Sequence, residues 1–500
     1  IPVANNIITV DGSQITTLAQ ALSLCPSTGC TVDMRGNASA LSLGTIDVGN
    51  NGKALTLLLG PFSYTATQIV LRTGTKIFGM GATTGTTLGT SITATSTTNP
   101  LIISCTSCST DQPSAHVELK DINLFGASNG SNTSDGIFFD SSVSTSGLGG
   151  VWYSLFTDVN IFKFGGVGIH LKGPSTAGHN GDNQWITFIN TNVFRTQNGG
   201  NAMRIEGTNN FVTFINGELD GYLGNGGIDP SATPNIFIGG GPGTASAGAP
   251  YIIDFIDTAI QGSNVLVQID GGYSIKFDHC HHEQANGVFH ITQNQNGSVV
   301  PTVGLLIDGE SFNGNVGLNS GNGYIMQLDS GVTATNVALR NSVYVTASAA
   351  PDHWIVNNAT DTSGLDFSNN SYGGSAGAGA AGTYIAVDGA LQASANVSFT
   401  SMGTGASVTS IKGTDKAFTL VFSTGTGSPS NGGGITINFA SNFSFPPVCM
   451  ANRADSQAQQ FNYIYNLPGS NTSATFTTSG TAPSASTSYA MSVICVGKPN

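Results

Sequence analysis

The chain has 500 residues, of which 9% are charged, with 67 glycines and a formal net charge of −13. That length exceeds one ordinary core and predicts either two domains or an elongated repeat, while sparse charge and abundant Gly, Ser, Thr and Asn fit an all-β secreted or virion protein rather than a helical cytosolic one. The absence of a Lys/Arg cluster excludes nucleic acid as a partner, and no apolar run is long enough for a membrane span.

In chain order, Ile1 replaces an initiator Met, which fits either a processed secreted protein or a fragment. "ITTLAQALSLCPSTGCTVDMRG", from Ile15, reads as a short amphipathic helix entering a strand, and "TKIFGMGATTGTTL" follows at 75–88. The seven cysteines fall unevenly: Cys25 and Cys30, Cys105 and Cys108 in "CTSC", Cys280 alone, and Cys449 and Cys495. Three disulfides and one thiol are expected, which implies an oxidising compartment. A zinc ribbon from the two close pairs lacks nearby His, and "CTSC" lacks the βαβ setting of a redox motif.

The middle of the chain repeats a pattern of an apolar residue, any residue, then Asn or Asp, followed by alternation. It recurs as "LKDINLFG" (Leu119), "FTDVNIFK" (Phe156), "FINTNVFR" (Phe188), "FINGELDG" (Phe214), "FIDTAIQG" (Phe255), "FDHCHHEQ" (Phe277), "LIDGESFN" (Leu306) and "LRNSVYVT" (Leu339). Each is followed by a second alternating segment, such as "GVGIHLKG" or "GVFHITQ". Short strands at irregular spacing, with Asn and Asp at corners where left-handed backbone is tolerated, predict a parallel β-solenoid. Parallel crossovers make it right-handed.

The columns then acquire direction. Position six reads Leu124, Ile161, Val193, Leu219, Ile260, His282, Ser311 and Tyr344, and position four ends in Cys280, Gly309 and Ser342. Both point inward by parity, so Cys280 is expected to be a buried thiol. Positions five and seven face outward: Asn123/Phe125, Asn160/Phe162, Asn192/Phe194, Glu218/Asp220, Ala259/Gln261, His281/Glu283 and Glu310/Phe312. Because their directions alternate, His279, His281 and His282 cannot converge on one metal, and no metal or other cofactor is expected. The three phenylalanines form either a sugar-stacking platform or a covered face.

Past "GGSAGAGAAG" (373–382), read as a flexible insertion or linker, the texture from about 396 alternates like antiparallel strands with Gly, Asn and Ser turns. The expected division is a β-helix over 1–390 and a C-terminal β-sandwich-like domain over 396–500, stapled by Cys449–Cys495.

The N-terminal helix-to-strand segment and "TKIFGMGATTGTTL" together resemble the pectate-lyase-like superfamily of right-handed, single-stranded parallel β-helices. That superfamily includes secreted polysaccharide lyases and hydrolases and bacteriophage tailspikes. The resemblance covers about residues 8–390. It implies a helix capping the open end of the coil, a polysaccharide partner, an extracellular or virion-surface location and, by likeness to tailspikes, a homotrimer. The C-terminal texture resembles β-domains attached to phage fibres.

On this frame Asp220 and Glu283 are the expected acid/base pair, two rungs apart with Gln261 between them, in the separation range used for glycoside hydrolysis. Glu218 and His281 complete the catalytic set, and Glu310 joins Gln261 as a substrate contact. A lyase would need a base and a cation beside a uronate, and Lys172, Arg204 and His290 on the second strand are its candidates. The net acidity repels an acidic polymer unless the site is locally basic or holds a cation. Hydrolysis is preferred over elimination, and the rival is a non-catalytic glycan-binding adhesin, tail fibre or filament subunit, since the solenoid hosts both.

Overall fold

The protein is described from a computed structural model. The description covers residues 6–37, 41–47, 54–82, 89–104, 114–127, 132–142, 150–174, 181–194, 200–221, 234–241, 248–293, 300–316, 324–345, 353–359, 361–367, 370–372, 396–414, 417–439, 443, 446–453, 461–466, 470–480 and 482–496. Cys105, Cys108 and the 373–382 tract lie outside these residues, as does the junction between the two expected domains.

The one helix among the described residues, Leu18–Leu24, begins with a capping box. The Gln20 amide donates to Thr17 Oγ1 at 3.2 Å, and Gln20 Oε1 accepts from the Thr17 amide at 3.2 Å. Two of the otherwise unpaired amides at the helix start are thereby satisfied. Leu18 and Ala21 are buried, and the helix packs against the first two strands.

From there the chain winds into a parallel β-helix, with 34 strands among the described residues joined in one hydrogen-bonded system. The registers show each coil directly above the last: Phe156 pairs Phe188, Phe188 pairs Phe214, Phe214 pairs Phe255, and Phe255 pairs Phe277. These five rings are fully buried and contact one another at centroid distances of 4.8–6.1 Å. The apolar first position of the repeat is therefore a continuous interior stack, with ring contacts adding to the burial of each large side chain.

The third position of the repeat turns the chain from one strand to the next. Asp121, Asp158, Asn190, Asn216, Asp257, His279 and Asn341 all have φ between 49° and 59°. Asn and Asp reach this left-handed region at modest cost, and Asn216 Nδ2 donates to Asn190 Oδ1 at 2.6 Å, which ties successive corners together.

The seventh coil corrects the sequence reading. Ile307, not Leu306, pairs with Phe277, and the corner is taken by Gly309 at φ 73° rather than by Asp308. Both residues are turn formers, and Gly adopts a positive φ without steric penalty. The one-residue slip reverses every side chain after it: Ser311 and Asn313 face outward in register with His281 and Glu283, while Glu310 and Phe312 are completely buried.

Residue contacts divide the chain into two units, one holding the described parts of Ile1–Ala338 and Ser342–Thr362, the other those of Leu339–Asn341, Ser363–Tyr372 and Ala378–Asn500. In the second unit, two antiparallel four-stranded sheets share one core that includes Leu420, Phe422, Ile435, Ile437, Phe476 and Met491. Cys449 and Cys495 face each other on paired strands and form a disulfide, as do Cys25 and Cys30 near the N-terminus.

Candidate functional site

Two outward columns run along the wall formed by the strand that follows the corner in each repeat. One reads Asn192, Glu218, Ala259, His281, Ser311; the other reads Phe194, Asp220, Gln261, Glu283, Asn313. Glu218 and Glu283 are thus two rungs apart and also two residues apart along the strand direction, roughly 12 Å at the backbone given the spacing and rise of parallel strands. Gln261 lies between them, and its Nε2 donates to Glu218 Oε1 at 2.5 Å. Glu283 Oε1 is contacted by His281 Nε2 at 2.7 Å and by Asn313 Nδ2 at 3.0 Å.

The two carboxyl groups sit in different environments. Burial raises the Glu218 carboxyl above its usual range and the negative charge of Glu283 adds to this, against the opposing hydrogen bond from Gln261. Glu283 is 30% exposed and held by two side-chain partners, one of them a histidine. Asp220 is only 8% exposed, set back further than parity suggests. The structure brings together Glu218, Gln261, His281 and Glu283 among the expected site residues and adds Asn313, which the slip in the seventh coil had hidden.

Glu310 does not belong to this wall. It lies inside the coil, where its Oε1 accepts from the Cys280 amide at 3.2 Å and its Oε2 is 2.6 Å from His282 Nε2. Both side chains are 0% exposed. Burial pushes the Glu310 carboxyl well up and the His282 imidazole down to about 3, and both shifts favour the uncharged form of each group. Cys280 beside it is a buried free thiol whose ionisation burial opposes strongly. "FDHCHHEQ" is therefore one coil whose histidines diverge: His279 at the exposed corner, His281 outward, His282 inward.

The phenylalanines preceding the patch stack on one another, Phe125 on Phe162 at 4.9 Å and Phe162 on Phe194 at 5.0 Å, nearly parallel. Phe162 is thus sandwiched between the other two rings. Asn123 and Asn160, expected to be outward, are 4% and 3% exposed and form an amide ladder with Asn192.

The second-strand residues are committed to partners of their own. Lys172 pairs with Asp140 at 3.3 Å, and Arg204 pairs with Glu206 at 2.8 Å while lying 4.2 Å over the Phe237 ring. His290 contacts Asp329 at 2.9 Å. His170 touches Asp135 and Glu206 through its two ring nitrogens at 3.2 and 3.0 Å. Burial alone would lower its pKa, but the two carboxylates outweigh it and raise it. Burial likewise works against Glu206, yet His170 and Arg204 hold it down at about 2.

One feature escaped the sequence reading. Five residues before each corner lies a second left-handed column, His116, Tyr153, Trp185 and Phe211, at φ 50–56°. The four rings stack at 5.5, 4.7 and 5.2 Å, and Tyr153, Trp185 and Phe211 are 48%, 39% and 40% exposed. Bulky side chains seldom adopt this backbone. Their constant offset from the Asn/Asp position is the signal that could have found them.

No known protein family and no curated protein matches the chain. Solved structures of similar fold include the Dettilon tailspike protein, at 10% identity and a TM-score of 0.43 over 98% of this chain and 94% of that one. Another is DFA-IIIase from Arthrobacter chlorophenolicus, at 11% and 0.44 over 73% and 95%. A third is a mutant tailspike protein of E. coli bacteriophage HK620 in complex with a pentasaccharide, at 8% and 0.44 over 98% and 94%. All are likenesses of fold, the right-handed parallel β-helix.

Proposed function

We propose that this protein acts outside the cell on a polysaccharide and hydrolyses it, with Glu218 as general acid and Glu283 as general base. The observation that supports this reading is a pair of carboxyl groups on one wall whose surroundings differ, one raised by burial and its neighbour's charge, the other held by His281 and Asn313. Carboxyl groups carried two rungs apart, with Gln261 on the rung between them, leave room for a water between base and anomeric carbon, the arrangement an inverting enzyme uses. The expected outcome is inversion. Gln261 positions Glu218.

Elimination has less support, because Lys172 and Arg204 are already paired. The experiment is a panel of bacterial and plant polysaccharides, following reducing ends and the absorbance of unsaturated uronates. Reducing ends without absorbance, lost in Glu218→Gln and Glu283→Gln at unchanged melting temperature, support hydrolysis. Full activity in both variants removes the pair.

The exposed ladder of His116, Tyr153, Trp185 and Phe211 favours a second reading, a binding-only adhesin, fibre or filament subunit assembled as a homo-oligomer. Glycan binding without cleavage of any polymer, together with an oligomeric mass by light scattering, would favour it.

A further inference from the structure

The charge of this chain is concentrated where the candidate site lies. Between Arg204 and Arg340 the sequence holds twelve Asp and Glu and one cation, Lys276, a formal net of −11 out of −13; of these, Glu310 is buried inside the coil and Glu206 is paired with Arg204 and His170. The remaining 14 Lys and Arg nearly balance the remaining 16 Asp and Glu.

The registers bring part of this acidity to the strands on either side of the corner. On the strand before the corner, Asp278 and Asp308 occupy neighbouring rungs of one outward column, and Asp254 neighbours Lys276 in another. None of these three aspartates is fully buried. Past the corner stand Glu218 and Glu283. Lys276 is taken up by Asp278 at 2.6 Å. Among the described residues no group of three or more His, Cys, Asp and Glu side chains is arranged to hold a metal ion.

A chain of uronic, sulfated or phosphorylated sugars laid along these columns would bring negative charges toward a row of carboxylates within the screening length of about 8 Å at physiological ionic strength. We infer that the wall takes a polysaccharide free of carboxylate, sulfate and phosphate groups, and that its acidic face rejects charged analogues of the same linkage. This rests on the wall being the glycan site. It goes further by deciding the chemical class of the substrate and by removing elimination, whose substrate must carry a uronate.

The test uses the full chain with neutral glucan, galactan and mannan, each beside its derivative oxidised at C6 to the uronate, so that linkage is constant and only charge changes. Binding is measured on wild type and on Glu283→Gln at low ionic strength and at 1 M salt. Expected is at least about tenfold weaker binding of the oxidised partner at low ionic strength, since like charges brought together at an interface are strongly disfavoured. The gap should narrow at 1 M, where screening shortens to about 3 Å. Equal or tighter binding of the oxidised partner at low ionic strength overturns the inference. Neutral polymers bound but never cleaved leave it standing while removing hydrolysis, and failure to bind any polymer removes both.

Discussion

Replacing Gln261 with Leu removes the one side chain seen to stabilise the ionised form of Glu218, through a hydrogen bond of 2.5 Å. A hydrogen bond to a charged acceptor contributes about 1.5–3 kcal/mol, and the partly solvated position of Glu218 reduces this to about 1 kcal/mol. Since 1.36 kcal/mol corresponds to one pH unit, the Glu218 pKa should rise by about 0.7 unit. A general acid must be protonated to act, so the basic limb of the kcat/KM profile should move to higher pH by that amount. The acid limb should stay in place. The assay is reducing-end release from a soluble oligosaccharide across pH, with thermal melting as control for folding. A basic limb that stays put or moves to lower pH would refute the assignment of Glu218 as the acid.

Other outcomes follow from the same geometry. Glu283→Gln and Glu218→Gln should each lower kcat by about 10²–10⁴-fold, whereas Asp220→Asn, altering a side chain 8% exposed, should affect rate far less; the comparison uses initial rates on the best neutral polymer. Glu310→Gln should cost under about 1 kcal/mol in urea denaturation because the amide can keep a neutral hydrogen bond to His282, while Glu310→Ala should cost about 3 kcal/mol or more by leaving buried polar atoms and a cavity. A large penalty for Gln would mean that the pair is ionic. The raised pKa of His170 stabilises the fold fully below its unfolded value near 6.5, and this contribution is lost as pH rises through the folded value; the corresponding fall in melting temperature should disappear in His170→Gln. Removing the Cys449–Cys495 bridge, which closes a separation of 46 residues, should cost the C-terminal unit about 4 kcal/mol by the chain-entropy relation, read as a lowered urea midpoint.

How much was legible in the sequence differs by coil. The recurring Asn or Asp three residues into each segment marks the corners correctly from Asp121 to Asp257 and at Asn341, because a left-handed backbone restricts the residue types that can stand there. Alternation after the corner then sorts side chains inside and out, as for Cys280 within and Glu283 without. The same reasoning fails at Asp308–Gly309, where two adjacent residues can each make the turn and local pattern cannot choose. Burying Phe312 and Ile307 against the coil before them makes the choice, and it moves Glu310 from the expected binding face to the interior.

Sequence by itself thus determined the solenoid, its corner residues, its interior stack and the wall on which the acidic side chains appear, since each follows from short-range periodicity and backbone preference. Tertiary structure alone decided the register of the seventh coil, the burial of Asp220 and Asn160, and the pairing of Lys172 and Arg204 with their own carboxylates. It also decided the contrast between Glu218 and Glu283. Those properties depend on which side chains from coils some 20 to 40 residues apart come into contact. Such contacts set solvation and charge, and no local pattern carries them.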